Sequence, residues 1–347
     1  MTRADEPHQV VHRGLAPEAR ISEVLVWAVA HAALAPSEHN SQPWRFTAQV
    51  HDDNTATLSL LVDESRRLPV VDPTQREAVL ACGAALLNLR LALAGAGYGS
   101  HVHLCPDPDL PELLARLLVE GPPIGRDIDA ELRLAVSLRG THRGPFDRSD
   151  VPSEVVDRLV AEAAREGAFV TVLDASARDE LIRLDLEAEQ QLWTDGEFRR
   201  EAAQWARRND TGQHDGVPGY AYGIGAVRSW LQPTLLRGGA ARTMAPEALE
   251  TSGRDAAVVL VVGAPDDSTP AVLRAGQAMQ RLLLRARTQH LAASYLNGPL
   301  HVAELREQLG TVLGMPAPQV VVRLGYGELV RPTPRRGVNE VLVMNRP

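Results

Sequence analysis

The chain has 347 residues, of which 44% are hydrophobic and 23% are charged, and its formal net charge is −8. This ordinary globular balance excludes a mainly disordered protein, and the acidic charge without a run of basic residues argues against nucleic acid as a partner. All 36 basic residues are arginine, which excludes mechanisms that need a lysine Schiff base or a P-loop lysine.

The cysteines and the apolar segments predict a cytoplasmic protein. Cys82 and Cys105 are too far apart for a CxxC pair, and two cysteines make no disulfide framework in so long a chain. The first twenty residues contain no apolar signal region, and the apolar stretches 24–35 and 256–264 are too short to span a bilayer. We therefore expect no secretion signal and no membrane partner.

Helices and strands alternate in the first part of the chain. The predicted elements are, in order, helix 21–34, strand 57–62, helix 76–94, strand 101–104 and a segment that leads on at 130–138. The first helix stops before Pro36, because proline disfavours helix in the residue that precedes it. A polar loop, PSEHNSQPW, must follow that helix.

The organisation seen at the start of the chain is repeated after residue 150. The predicted elements are a helix over 153–165 with Ser153 as its N-cap, then strand 169–173, strand 256–264, helix 273–288 and strand 320–327. Residues 190–250 lack a sustained period and are rich in glycine around Tyr220 and Tyr222. This stretch is predicted to be a long excursion, either a connection between two lobes or a mobile lid.

Two apolar helices align when Gly83 is set against Gly276, an offset of 193 residues, and each has a leucine three positions earlier. A glycine inside a helix costs about 1 kcal/mol relative to alanine, so it usually has a packing reason, such as the close approach of two helices. The alignment favours an internal duplication over two unrelated core helices, although the repeat is weak.

Few residues outside the loop PSEHNSQPW suggest chemistry. Within the loop, hydroxyl, imidazole and amide groups between two prolines can bind a planar polar ligand, or can simply satisfy their own backbone. His101 and His103 share one face of a strand without a third ligand nearby, so no metal site is predicted. The chain has neither a dinucleotide-binding GxGxxG after a strand nor a GxSxG nucleophile elbow.

Three segments resemble motifs of the nitroreductase superfamily. PSEHNSQPW at 36–44 is similar to its PSxxNxQPW motif, RGTHRGPF at 139–146 to its RxSxR segment, and PTPRR at 332–336 to its C-terminal arginine segment. Ordinary nitroreductases have RxSxR before PSxxNxQPW, and their homodimers build two sites. Here the order is reversed and each motif occurs once, which resembles the Acg-like branch, in which one chain mimics the dimer.

The resemblance implies an α+β, nitroreductase-like fold with two related lobes that form a pseudo-dimer around one FMN. The lobes would be residues 1–138 and 139–347, with an insertion or lid at about 190–250. It also implies a monomer that acts as a pseudo-dimer.

The resemblance also suggests which residues bind the cofactor. The phosphate would be held by Arg139, Thr141, Arg143, Arg335 and Arg336, because the arginine fork suits a phosphate. The flavin ring would be met by Ser37, His39, Asn40, Gln42 and the backbone of Asn297 and Gly298. His39 could equally cap its own loop, and Trp44 is predicted to be a core residue.

The resemblance implies electron transfer from NAD(P)H through FMN to a small acceptor, such as a nitroaromatic or a quinone. No side chain is predicted to be a catalyst, since the cofactor performs the chemistry. Two alternatives stay open: a protein that sequesters or stores FMN, and a biosynthetic oxidoreductase for one dedicated metabolite.

Overall fold

A computed structural model describes residues 6–16, 18–52, 54–121, 129–239 and 255–345. The helices are α1 Pro7–Arg13, α2 Ile21–Ala32, α3 Arg76–Gly95, α4 Ala130–Ala135, α5 Ser153–Ala164, α6 Ala175–Thr194, α7 Gly196–Trp205, α8 Ala226–Arg237, α9 Thr269–Thr288, α10 Ala303–Leu313 and α11 Val338–Val341. The strands are β1 Trp44–Val50, β2 Thr55–Val62, β3 Gly99–Leu104, β4 Leu113–Glu120, β5 Phe169–Val172, β6 Ala206–Arg207, β7 Val217–Pro218, β8 Val258–Ala264, β9 Leu291–Tyr295, β10 Ala317–Tyr326 and β11 Leu342–Asn345.

Two main sheets organise the chain. The first has the strand order β11-β1-β2-β4-β3 and the second has the order β5-β8-β10-β9. Neighbouring strands are antiparallel in both sheets except β1 and β11, which run parallel with Phe46 opposite Leu342. The strand at the end of the described chain therefore extends the sheet that is otherwise built from residues 44–120.

Helices α3 and α9 join the two sheets. α3 packs against strands of the first sheet, α9 packs against strands of the second, and the two helices pack against each other. Their apolar side chains belong to one continuous hydrophobic core that includes Leu86, Leu273 and Leu282. The burial of this core is the main favourable contribution to folding.

The two aligned glycines lie where α3 and α9 cross. A Cβ atom on Gly83 would be 2.3 Å from the backbone oxygen of Leu273, and one on Gly276 would be 2.1 Å from that of Leu80. The predicted close approach of two helices is confirmed. The contact is reciprocal, because each glycine meets the residue three positions before the other.

Helix α3 is long and apolar enough to span a membrane, by length and composition only. The helix is 20 residues long, and 78% of its most apolar window is buried inside the protein. That degree of burial is the pattern of a core helix. Trp44, at the start of β1, is fully buried, as predicted.

Most predicted elements are confirmed within a few residues, but two predictions are wrong. Ser153 is the first residue of α5 rather than its N-cap, since Pro152 occupies that position. The stretch from residue 190 is not irregular throughout, because α6 continues to Thr194 and α7 and α8 follow. Asp195 caps α7 by accepting a hydrogen bond from the backbone of Glu197. Residues 240–250 of the predicted excursion lie outside the described residues.

Candidate functional site

A cavity of about 220 Å³ lies where the three motif segments meet. Its floor includes apolar residues of the two central helices, Leu80, Ala81 and Met279. Eight of the eleven predicted cofactor residues line it: Ser37, His39, Asn40, Arg139, Thr141, Arg143, Asn297 and Arg335. Motifs that are up to about 300 positions apart in sequence therefore contribute to one site.

The loop after α2 has an unusual backbone that orients its polar groups. His39, Asn40 and Gln42 have positive φ angles of 52°, 55° and 54°. Such angles are uncommon for residues other than glycine, and asparagine tolerates them better than most. The hydroxyl of Ser37 supports the turn by accepting a hydrogen bond of 2.9 Å from the backbone N–H of Gln42.

Asn40 connects three segments of the cavity wall. Its Nδ2 donates to the carbonyl oxygens of Gly216 at 2.9 Å and Pro334 at 3.0 Å, and its Oδ1 accepts from Nη1 of Arg335 at 2.8 Å. The side-chain amide is buried and engaged on both its nitrogen and its oxygen. Asn40 therefore fixes the loop, the glycine-rich stretch and the C-terminal arginine segment relative to one another.

Three predicted residues lie behind the wall rather than on it. Gln42 is fully buried, its Nε2 donates to the carbonyl oxygen of His214 at 2.8 Å, and its Oε1 accepts from the backbone N–H of Arg336 at 2.8 Å. The guanidinium of Arg336 donates to the carbonyl oxygens of Gln42 and Glu340. Gly298 packs against Asp185, where a Cβ atom would lie 2.4 Å from the carboxylate oxygen Oδ1.

Two arginines are buried beside the cavity without a carboxylate partner. Arg139 and Arg335 are each 9% exposed, and in neither does the buried Nε have a hydrogen-bond partner among the described residues. Arg139 donates through Nη2 to the carbonyl oxygen of Leu34 at 3.0 Å. No ion pair within the described chain involves Arg139, Arg143, Arg331 or Arg335.

Burial and mutual repulsion make the two buried guanidinium groups costly. Burial, followed by the charge of Arg139, lowers the pKa of Arg335 to about 9. Burial also lowers the pKa of Arg139, and the charge of Arg143 adds to that effect. Because an unpaired buried charge is strongly unfavourable, the site is suited to an anion that would offset this cost.

The stretch 214–222 covers one side of the cavity. The guanidinium carbon of Arg331 lies 4.2 Å from the ring centroid of Tyr220, and that of Arg143 lies 4.8 Å from the ring centroid of Tyr222. The hydroxyl of Tyr220 donates to the carbonyl oxygen of Pro332 at 2.8 Å. Cation–π contacts of this kind contribute about 0.5–1 kcal/mol each at exposed sites.

Sequence reasoning missed several residues of the lining. They are His8, Glu38, Glu77, Tyr295, Arg331 and Thr333. Glu38 lies inside the loop PSEHNSQPW, and Arg331 directly precedes PTPRR. Both residues could therefore have been predicted from their proximity to the motifs. His8 and Glu77 could not, because only the tertiary packing of α1 and α3 brings them to the cavity. Burial, followed by the charge of Arg335, lowers the pKa of His8 to about 4.

A buried acid lies next to Gly298, behind the cavity wall to which Asn297 contributes. Asp185 on α6 is 4% exposed, and its carboxylate accepts a hydrogen bond from the backbone of Gly298. Burial, followed by the nearby charge of Glu189, raises its pKa to about 7. The charged form of Asp185 is therefore disfavoured in the folded protein.

We expect Asp185→Asn to stabilise the protein at high pH but not at low pH. A folded pKa of about 7 lies above the ordinary value, so the wild type loses stability as pH rises from about 4 to about 7. One pKa unit corresponds to about 1.4 kcal/mol, so the stability difference should grow by about 2–3 kcal/mol between pH 5 and pH 8. Urea unfolding at both pH values measures it, with the exposed Asp179→Asn on the same helix as the control. An equal difference at the two pH values would show that Asp185 is ionised throughout.

Known proteins resemble the sequence of this chain. The model of the nitroreductase family matches residues 136–326, more than half of the chain. The Mycobacterium tuberculosis protein named "Putative NAD(P)H nitroreductase acg" is 31% identical over 340 residues, which cover 92% of this chain and 95% of that protein. The chain belongs to the nitroreductase family. It is thus a nitroreductase-like oxidoreductase with a mixed α+β fold, as predicted.

Two further similarities accompany these matches. A second Mycobacterium tuberculosis protein with the same functional name, Rv3131, is 31% identical over 317 residues, which cover 90% of this chain and 88% of that protein. Among solved structures, the FMN-dependent nitroreductase NfnB from Mycobacterium smegmatis, in complex with NADPH, is 18% identical with a TM-score of 0.38. That match covers 63% of this chain and all of NfnB.

Proposed function

We propose that the cavity binds one FMN and that the protein transfers electrons from NAD(P)H to a small acceptor, such as a nitroaromatic or a quinone. The observation that carries this proposal is the pair Arg139 and Arg335. Both side chains are buried at the cavity, both have an unpartnered Nε, and neither meets a carboxylate among the described residues. These features fit the phosphate of FMN, which carries close to two negative charges.

The residues at that end of the cavity would hold the phosphate. A charge-assisted hydrogen bond is worth about 1.5–3 kcal/mol, and the planar arginine fork can donate two such bonds to one phosphate. Arg143 and the hydroxyl of Thr141 line the same cavity and would add donors. These groups are attached to separate segments, so phosphate binding would also hold those segments together.

The rest of the lining suits a planar ring. Leu80, Ala81 and Met279 provide an apolar surface, and Ser37 and Asn297 provide polar groups beside it. When bound, FMN supplies the redox chemistry that links NAD(P)H oxidation to acceptor reduction. The protein would bind and orient the ring and exclude water from it, which strengthens electrostatic interactions in the site.

The family relationship supports the nicotinamide part of the proposal, because the relatives with 31% identity carry NAD(P)H in their names. We also infer that residues 1–138 and 139–347 are two related lobes and that the monomer acts as a pseudo-dimer. The reciprocal contacts of Gly83 and Gly276 support this organisation, since a two-fold relation between two copies of one helix would produce them. Each motif occurs once, so one site per chain follows.

A storage function is the second candidate, and the cover over the cavity favours it. The stretch 214–222 is bonded to Asn40, Gln42 and Pro332, so it restricts access to the space beneath it. A flavin held under a closed cover would react slowly with a nicotinamide, while a small reductant would still reach it. The two candidates therefore differ in how fast NADPH reduces the flavin.

We expect the FMN-loaded protein to turn over NADPH and a nitroaromatic or quinone at ordinary enzyme rates, about 1 s⁻¹ or more. Stopped-flow absorbance at the flavin band, with NADPH and with dithionite, measures the reduction step separately. Fast reduction by dithionite with very slow reduction by NADPH would reject the oxidoreductase proposal and support storage.

A further inference from the structure

Two carboxylates lie in the wall between the cavity and a second, smaller pocket. Glu38 and Glu77 each line both spaces. The second pocket has a volume of about 10 Å³, close to the space that a single water molecule needs. Arg67 also lines it, and its side chain is 47% exposed, so this pocket lies between the wall and the solvent.

Each of the two carboxylates faces an imidazole. Nδ1 of His39 lies 3.5 Å from Oε1 of Glu38, and Nε2 of His301 lies 3.8 Å from Oε1 of Glu77. The Nε2 atoms of both histidines are buried and have no hydrogen-bond partner among the described residues. The side chain of His301 is only 9% exposed. The wall thus contains two carboxyl and imidazole pairs, and burial lowers the pKa of His301 to about 4, which favours its neutral form.

The two carboxylates differ in their proton affinity. Burial raises the pKa of Glu77, although its 2.5 Å ion pair with Arg76 opposes this effect. Burial would also raise the pKa of Glu38, but the charges of His39, His301 and Arg143 lower it below the ordinary value. Arg306 also acts on Glu77, Asp72 interacts with Glu77, and Tyr295 interacts with both carboxylates. Glu77 therefore favours its protonated form more than Glu38 does.

We propose that Glu38 and Glu77 form a proton relay from the second pocket into the cavity. The inference rests on the proposed function, because reduction of a quinone by NAD(P)H consumes one hydride equivalent and one proton. The nicotinamide supplies the hydride with its two electrons. A carboxyl O–H bond of the relay breaks, its proton forms a new O–H bond on the acceptor, and a proton from the solvent, carried by water in the second pocket, reprotonates the carboxylate.

The cover over the cavity explains why a separate route is needed. Asn40 and Gln42 bond to Gly216 and His214, so the stretch 214–222 covers part of the cavity. Water that is excluded there cannot deliver the proton at the reacting atoms. The wall at Glu38 and Glu77 gives a path that stays available while the cover is in place.

The relay is tested with two acceptors that differ in their need for protons. In FMN-loaded Glu77→Gln and Glu38→Gln, we expect quinone reduction to fall at least a hundredfold, within the range of general acid catalysis. Ferricyanide takes up electrons without a proton, so its reduction should fall far less than that of the quinone, and fluorescence quenching measures FMN affinity separately. The exposed Glu64→Gln is the control and should leave both reactions unchanged. If Glu77→Gln does not fold, the same comparison of quinone and ferricyanide reduction is made with Glu38→Gln alone.

Infrared spectroscopy gives a readout that does not depend on activity. The difference between the wild-type and Glu77→Gln spectra at mildly acidic pH should show a protonated-carboxyl band that shifts in D2O, beside the band of Asp185 that both proteins share. Equal losses with quinone and ferricyanide, full quinone activity in both variants, or identical infrared spectra would each overturn the relay. Failure of the wild type to bind FMN or to react with NADPH would instead overturn the proposed function.

Discussion

Arg335→Ala is expected to weaken FMN binding by at least tenfold. The guanidinium of Arg335 is buried at the cavity, and its Nε has no partner among the described residues. Removing one charge-assisted hydrogen bond to the phosphate costs about 1.5–3 kcal/mol, and about 1.4 kcal/mol corresponds to a factor of ten in affinity. Fluorescence quenching during titration of the apoprotein with FMN measures the dissociation constant.

The neighbouring arginine provides a matched control. Arg336 belongs to the same segment but donates to the carbonyl oxygens of Gln42 and Glu340 instead of lining the cavity. Arg336→Ala should reduce stability more than FMN affinity, whereas Arg143→Ala should resemble Arg335→Ala. Equal FMN affinity in Arg335→Ala, Arg143→Ala and the wild type would show that neither arginine holds the phosphate.

Alanine at Gly83 or Gly276 is expected to destabilise the protein by about 2 kcal/mol or more. The added Cβ would lie 2.3 Å or 2.1 Å from a backbone oxygen of the other helix, so α3 and α9 must separate. Overpacking of a core costs about 1–3 kcal/mol, occasionally more, and rigid backbone leaves little room for relief. The intrinsic gain of about 1 kcal/mol for glycine to alanine in a helix is thereby outweighed.

Urea unfolding of both variants tests this packing. Gly212→Ala is the control, because no atom lies within 4 Å of the Cβ position at that exposed residue. If Gly83→Ala and Gly276→Ala are as stable as the control, the two helices cross at a larger distance than 2.1–2.3 Å from each Cβ position to a backbone oxygen implies. If both lose stability, the crossing is confirmed as the packing centre of the fold.

Local patterns in the sequence predicted much of the fold. The helices at 21–34 and 76–94 and the strands at 57–62 and 256–264 were predicted because periodicity and proline or glycine boundaries are local signals. The glycines within both helices indicated a close approach of helices, but not that α3 and α9 contact each other. The pairing of β1 with β11 was not predicted, because these strands are about 300 residues apart and nothing local encodes the partner.

Some missed elements did carry a signal. In β1, the buried Trp44, Phe46 and Ala48 alternate with more exposed residues. This period of two is typical of a strand, but β1 was not predicted, because it directly follows the polar loop. In α7, Asp195 is a clear N-cap before an amphipathic segment. Helix α7 was not predicted, because the stretch that surrounds it is rich in glycine.

The candidate site was predicted from motifs, but which motif residues line the cavity is decided by the tertiary structure. Eight predicted residues line one cavity because each motif places several polar groups on one short segment. Gln42 and Arg336 belong to the same motifs, yet they bond to each other behind the wall. The sequence does not show which motif residues face the cavity and which ones support its wall, because this depends on tertiary packing. The same packing places Glu77 of α3 in the lining.

The number of FMN molecules bound per chain tests the central claim most directly. Each motif occurs once, and the three motif segments meet at one cavity, so titration of the apoprotein should end at one FMN per chain, with a yellow protein whose flavin band bleaches when NADPH is added. Two flavins per chain, or an apoprotein that does not bind added FMN, would contradict a single FMN site at this cavity.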